Sequence, residues 1–222
     1  MTISDLRREV YEANMELFRA NLVAGTAGNV SGLDRKRNLV AIKPSGVPYV
    51  KLRPSHMVVA DLSGAVVEGR LKPSVDLVHH LYIYNHMDGI GGVTHTHSPA
   101  ATAFAALGMD LAVYSTGHAD IFGGPVPCAP YADNKADRIG KAIVRCARRG
   151  CPAVLLARHG AFTFEPTPEK AVKAAAMLEA SAAVARDAML LARVLGKKLA
   201  PMPAREVAIW YARHHGGGYG QE

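Results

Sequence analysis

Strand-like and helix-like runs alternate along this chain, and that interspersion limits the fold more than any other feature of the sequence. Residues 4–22 place Leu6, Val10, Met15, Leu17 and Leu22 among charges in a helical rhythm that Gly25 stops. GTAGNVSGLD (25–34) reads as a turn-rich loop, while RNLVAIKPSG (37–46) and MVVADL (57–62) read as short strands closed by turn residues. From Ser74 to Tyr84 the chain is apolar at helical spacing; IGGVTHTH then gives a short strand and AATAFAALG a short helix. CPAVLLARHGAFTF holds two strand-like runs that meet near His159 and Gly160. Thr167, Pro168 and Glu169 supply an N-cap, a first-turn proline and an acidic first turn for a long alanine-rich helix ending near Gly196. Elements so mixed bury their apolar sides in layers. The expectation is an α/β fold: a single domain over residues 1–222, with a central, mostly antiparallel sheet covered by helices on both faces.

At 222 residues the chain can build one substantial core, and no linker, repeat or low-complexity tract divides it. Its formal net charge is +7, yet lysine and arginine are scattered, in short pairs such as Arg148–Arg149, and aromatic residues are 6%. This pattern favours an anionic small molecule over nucleic acid. The N-terminal stretch has no apolar run of signal-peptide length, and no segment is long enough to span a membrane. Three cysteines without a C-x-x-C spacing fit reduced thiols, so the expected setting is the cytoplasm, with no membrane partner.

His95 and His97 lie one residue apart at the end of an apolar strand-like run, so both project from one face while Thr96 takes the other. His159 ends another such run in LLARHGAF. Three imidazoles converging from two strand ends would make a metal site with one position left for a carboxylate or a substrate oxygen. The same histidines could instead be satisfied core residues, the reading that suits His79 and His80 on their helix. Asp76 stands near the start of the 74–85 helix, where the macrodipole favours a carboxylate. Asp120 in STGHAD could act as an acid or base, or simply end a turn. GTAGNVSG, KPSG (43–46) and KPS (72–74) each offer amides, hydroxyls and a nearby lysine, Lys43 or Lys72, as a phosphate needs, and none matches a P-loop.

Taken together and in order, GTAGNVSG, KPSG, KPSVD, GGVTHTHSPAATAFAALG, GHADIFGGPVPC, RHGAF and the terminal YGQ resemble the class II aldolase and adducin-head family over nearly the whole chain. Within it the likeness is strongest to the L-ribulose-5-phosphate 4-epimerases, since the aldolases carry Glu at the position of Asp76. The resemblance implies zinc, or another divalent ion such as manganese or cobalt, held by His95, His97 and His159 with Asp76 beside them. It implies that Asn29, Ser45, Gly46 and Ser74 bind a substrate phosphate, with Lys43, Thr26 and Gly28 close by. The implied reaction breaks and remakes the C3–C4 bond of a ketose phosphate, with Asp120 and Tyr219 as acid and base. Tyr219 would reach in from a neighbouring subunit of a homotetramer. The alternatives within the resemblance are a fuculose-phosphate-type aldolase and a non-enzymatic adducin-like module, the latter expected to lack the histidines. Val75 departs from the family pattern, which has a second serine there, and Trp210 stands where a further histidine is expected.

Overall fold

A computed structural model describes residues 2–216, and Tyr219 lies outside them. The elements in chain order are α1 (Ile3–Arg19), β1 (Asn29–Asp34), β2 (Leu39–Ile42), β3 (Val58–Asp61), β4 (Val66–Glu68), α2 (Leu77–His86), β5 (Gly92–Thr96), α3 (Pro99–Leu107), α4 (Thr116–Phe122), β6 (Cys128–Ala129), α5 (Arg138–Cys146), β7 (Ala153–Leu156), β8 (Gly160–Glu165), α6 (Pro168–Val194) and α7 (Ala204–His215). One eight-stranded sheet runs in the order β4-β3-β2-β1-β5-β8-β7-β6. Its pairs are antiparallel except β6 with β7, so the expected α/β class and strand sense hold.

Alternation along the strands divides the core. On β7, Val154 and Leu156 pack with Leu81 and Tyr84 of α2 and Ile139 and Ile143 of α5. Ala153 and Leu155 face the opposite way, toward Phe104 of α3 and Leu178 of α6. Leu6 and Val10 of α1 cover Ala41 and Val59. Helices therefore cover both faces.

Thr167 caps α6 through its side chain, which accepts from the Lys170 amide, and Pro168 opens the helix as the sequence indicates. Residues 25–34 require correction. Only the first part is a loop, because Asn29–Asp34 forms the fully buried central strand β1 between β2 and β5. Its turn-type residues answer to packing: a Cβ on Gly32 would lie 2.7 Å from both Val10 and Pro168, so glycine lets α1 and α6 close over the strand. Asp120 likewise lies within the helix α4 and does not end a turn.

Candidate active site

β5 brings the first ligand candidate to the α2 side of the sheet. His95 stacks on Phe162 of β8 with ring centroids 4.2 Å apart, and its Nδ1 lies 3.0 Å from the Ala161 carbonyl oxygen. A carbonyl can only accept, so Nδ1 carries the proton and Nε2 is the unprotonated nitrogen that presents its lone pair to the other two histidines. His97 follows the last paired residue of β5, and its Nε2 lies 3.0 Å from His95 Nε2. His159 occupies the tight connection between β7 and β8, where its amide donates to Leu156 and the preceding Arg158 adopts a left-handed φ of 59°. Its Nε2 lies 3.1 Å from His95 Nε2.

The ligand atoms of His95, His97 and His159 lie within 4.8 Å of one another, so these residues form a group able to hold a metal ion. Burial pushes all three imidazoles down, His95 to about 3. They are neutral near pH 7, with lone pairs available. Three neutral imidazole nitrogens, one with its tautomer fixed by a backbone carbonyl, fit the donor set that borderline divalent cations take.

Asp76 stands at the head of α2 but makes no side-chain bond to its own helix. Its Oδ2 instead accepts from Asn29 Nδ2 at 2.6 Å. Burial alone would raise this carboxyl; the imidazoles of His95 and His80 and the Asn29 amide outweigh it and hold the group below its ordinary value. Asp76 flanks the three histidines without joining their 4.8 Å group. Beneath it, His79 and His80 are buried core histidines on α2, as the sequence suggests. His80 Nδ1 meets Ser31 Oγ at 2.7 Å, and Ser31 Oγ meets Tyr84 OH at 2.8 Å.

An isolated bridge between Pro44 and Pro73 sets the two Lys-Pro-Ser loops side by side. The Ser45 amide donates to Lys72 and the Ser74 amide to Lys43, each at 3.0 Å. Lys43 is only 2% exposed; its Nζ donates to the Thr26 carbonyl at 3.0 Å and sits 4.9 Å from the centre of the Tyr49 ring. Burial lowers its pKa, with the Asp76 carboxylate opposing. Asn29, Lys43, Ser45, Gly46 and Ser74 share one cleft of about 280 Å³ with Asp76, His95, His97 and His159. Val75, 70% exposed, stands at its mouth.

Asn134 also lines this cleft, from the segment that precedes α5, and sequence reading missed it because YADNKAD has only generic turn composition. Asp120 does not line the cleft of its own chain, and its Oδ1 is buried without a hydrogen-bond partner among the described residues. Trp210 packs from α7 beside Val113, Ala119 and Val207. A hollow of about 300 Å³ lined by Cys151, Glu165 and Tyr211 is comparable in size, but among the described residues it gathers no set of converging ligand atoms.

The family model of the class II aldolase and adducin N-terminal domain matches residues 8–186. The chain belongs to the class II aldolase and adducin N-terminal domain family. Among its relatives, an L-ribulose-5-phosphate 4-epimerase of Salmonella paratyphi B is 38% identical over 229 aligned positions, covering 98% of this chain and 99% of that protein. A counterpart from Salmonella typhi shows the same identity and coverage. Among solved structures, an L-fuculose 1-phosphate aldolase superposes with a TM-score of 0.82 at 30% identity, covering 96% of this chain and 97% of the other. The L-fuculose-1-phosphate aldolase of Thermus thermophilus gives 0.70 at 25% identity, covering 88% and 98%. Among the described residues no helix is long and apolar enough to cross a membrane.

Proposed function

We propose that this chain is a divalent-metal-dependent epimerase that inverts C4 of a phosphorylated ketose, with L-ribulose 5-phosphate as its substrate. The observation that carries this reading is the single cleft in which three imidazole nitrogens converge a short way from the buried ammonium of Lys43. The nearly full-length likeness to L-ribulose-5-phosphate 4-epimerases supports the choice of sugar.

His95, His97 and His159 would hold the ion through Nε2, with Asp76 alongside; zinc suits this donor set best, and manganese or cobalt can occupy it. A bound divalent cation supplies Lewis-acid polarisation of the ketose oxygens, the charge stabilisation that C–C cleavage demands. Asn29, Ser45, Gly46 and Ser74 offer neutral donors to the substrate phosphate, and Lys43 supplies the positive charge. Gripping that remote group orients the reacting carbons against the histidines. Asp120 and Tyr219 are the proposed acid and base, each exchanging a proton with the sugar hydroxyl on its own face. Because Asp120 does not line its own chain's cleft, this role needs a neighbouring subunit, and a homotetramer with the site at its interface provides one. The whole chain, 1–222, then works as one domain, and its three free cysteines suit the cytoplasm.

The second reading is an aldolase, favoured by the likeness to L-fuculose 1-phosphate aldolase. Retention of all three histidines speaks against a purely structural adducin-like role. The test is incubation of metal-loaded protein with L-ribulose 5-phosphate. The C4 epimer should accumulate without free two- and three-carbon fragments. Free fragments in place of the epimer establish the aldolase, and absence of turnover with zinc, manganese and cobalt refutes both.

A further inference from the structure

The three histidines are not restrained alike. His95 is buried, stacked on Phe162 and bonded through Nδ1 to Ala161. His159 is held in a tight turn whose Arg158 amide donates to Ala105 and whose own amide donates to Leu156. His97 is the most exposed of the three, and it lies beyond Thr96, the last residue of β5 paired with β8. Its ring meets the other two imidazoles and borders Gly160, and it can hold that place only while its backbone is held. That backbone is pinned on one side by the ladder ending at Thr96 and on the other by the N-terminus of α3, which begins two residues later at Pro99.

The first turn of a helix leaves amide donors that an N-cap side chain ordinarily satisfies. Ser98 is the N-cap of α3 but makes no side-chain cap bond. Its place is taken from a distant element. Glu179 of α6 accepts from the Ala100 amide through Oε1 at 2.8 Å and from the Ala101 amide through Oε2 at 2.9 Å. A carboxylate bound by two helix amides is a charge-assisted, two-point attachment, and it also sits where the helix dipole favours negative charge.

We infer that Glu179 is a positioning residue for the metal centre: by capping α3 from α6 it fixes the backbone that carries His97 and hence the third imidazole nitrogen. The inference rests on the proposed metal reading. It assigns to Glu179 no contact with metal or substrate.

The test is metal affinity rather than turnover. Cobalt and zinc are titrated against a competing chelator into the full-length wild type, Glu179→Ala and Glu179→Gln, each checked for native circular dichroism, and the cobalt ligand-field spectrum is recorded. Outer-shell partners of metal ligands typically contribute about 10–100-fold in affinity. Glu179→Ala should bind about 10–100-fold more weakly, with an altered cobalt spectrum. Glu179→Gln keeps one acceptor oxygen and turns an NH₂ toward the other amide, so it should fall between. Should the alanine variant fail to fold, the glutamine variant decides by the same two readouts. Lowered thermal stability with wild-type affinity and an unchanged spectrum overturns the inference, making Glu179 a purely structural cap. A wild type that binds neither ion refutes the metal reading itself, and the inference with it.

Discussion

Asn29 Nδ2 lies 2.6 Å from Asp76 Oδ2 and 3.2 Å from Ser74 Oγ, so one amide ties the carboxylate at the head of α2 to a loop of the proposed phosphate site. Asn29 Oδ1 is buried with no hydrogen-bond partner among the described residues. Asn29→Asp would replace the donor with a second carboxylate beside the first. Hydrogen bonds to charged groups contribute about 1.5–3 kcal/mol, so kcat/KM on L-ribulose 5-phosphate should fall about 10–100-fold. Unchanged steady-state kinetics would show that this contact does not bear on the reaction.

Lys43 is buried among carbonyl oxygens, and among the described residues it forms no salt bridge. Holding an unpaired ammonium there costs the fold several kcal/mol, about the size expected for a buried ion. Lys43→Met should therefore raise the thermal midpoint of the substrate-free protein, by about 2–4 °C for each kcal/mol relieved, while sharply raising KM for the phosphorylated sugar. A midpoint that falls would mean that the ammonium stabilises its loops by more than its burial costs.

Gly160 opens β8 directly against β5. A Cβ at this position would collide with the Thr96 carbonyl oxygen and lie 2.7 Å from His97 Cδ2. Overpacking of this kind costs about 1–3 kcal/mol. Gly160→Ala should lower the midpoint and, by displacing His97, reduce the metal retained after dialysis. Full metal content in the alanine variant would show that β5 and β8 can separate without moving the imidazole.

Burial holds His80 at about 4, against an ordinary value of 6.5. A lowered histidine stabilises the fold in full above its unfolded value. As pH falls below 6.5 the unfolded chain takes up the proton first, and that contribution is lost progressively until the folded value near 4 is reached. Metal-free protein should therefore lose stability across this window, by up to about 1.4 kcal/mol per pH unit for each such histidine. Urea unfolding at several pH values should give a shallower dependence for His80→Gln than for the wild type. Identical slopes would place the acid sensitivity elsewhere.

Asp120 can serve a metal cleft only across a subunit boundary if it does not line its own. Asp120→Asn and His159→Ala should each be nearly inactive, and mixing the two after dissociation and reassembly should restore activity at interfaces that pair an intact cleft with an intact Asp120. Random reassembly of a cyclic oligomer would restore roughly a quarter of the sites. Failure of well-mixed oligomers to recover would argue that Asp120 acts within its own chain or not at all.

Much of this arrangement was legible in the sequence because its signals are local. The two-residue spacing of His95 and His97 gives their shared face, and Thr167-Pro168-Glu169 marks the start of α6. What the sequence concealed is set by partners distant along the chain. β1 reads as a loop because Asn29, Ser31 and Gly32 are turn-type residues; they are a strand because two neighbours pair with them and two helices close over Gly32. The short α4 and the amphipathic α5 went unread between turn-like segments, although Ile139 and Ile143 carry the four-residue spacing of a helix face. Glu179 gave no signal, since its bonds join residues 78 and 79 positions apart.

The pairing of Asn29 with His95, and of His95 with Phe162, has a consequence for how this site can change over time. A pleated strand alternates its faces strictly, so the loss or gain of a single residue inside Gly92–Thr96 would turn the histidines beyond it toward the α6 side and present threonines to the cleft. Substitutions along β5 alter the site by degrees; a one-residue change in its length would abolish it in a single event. The lineage can therefore vary the loops around the cleft in length, while β5 must keep its residue count.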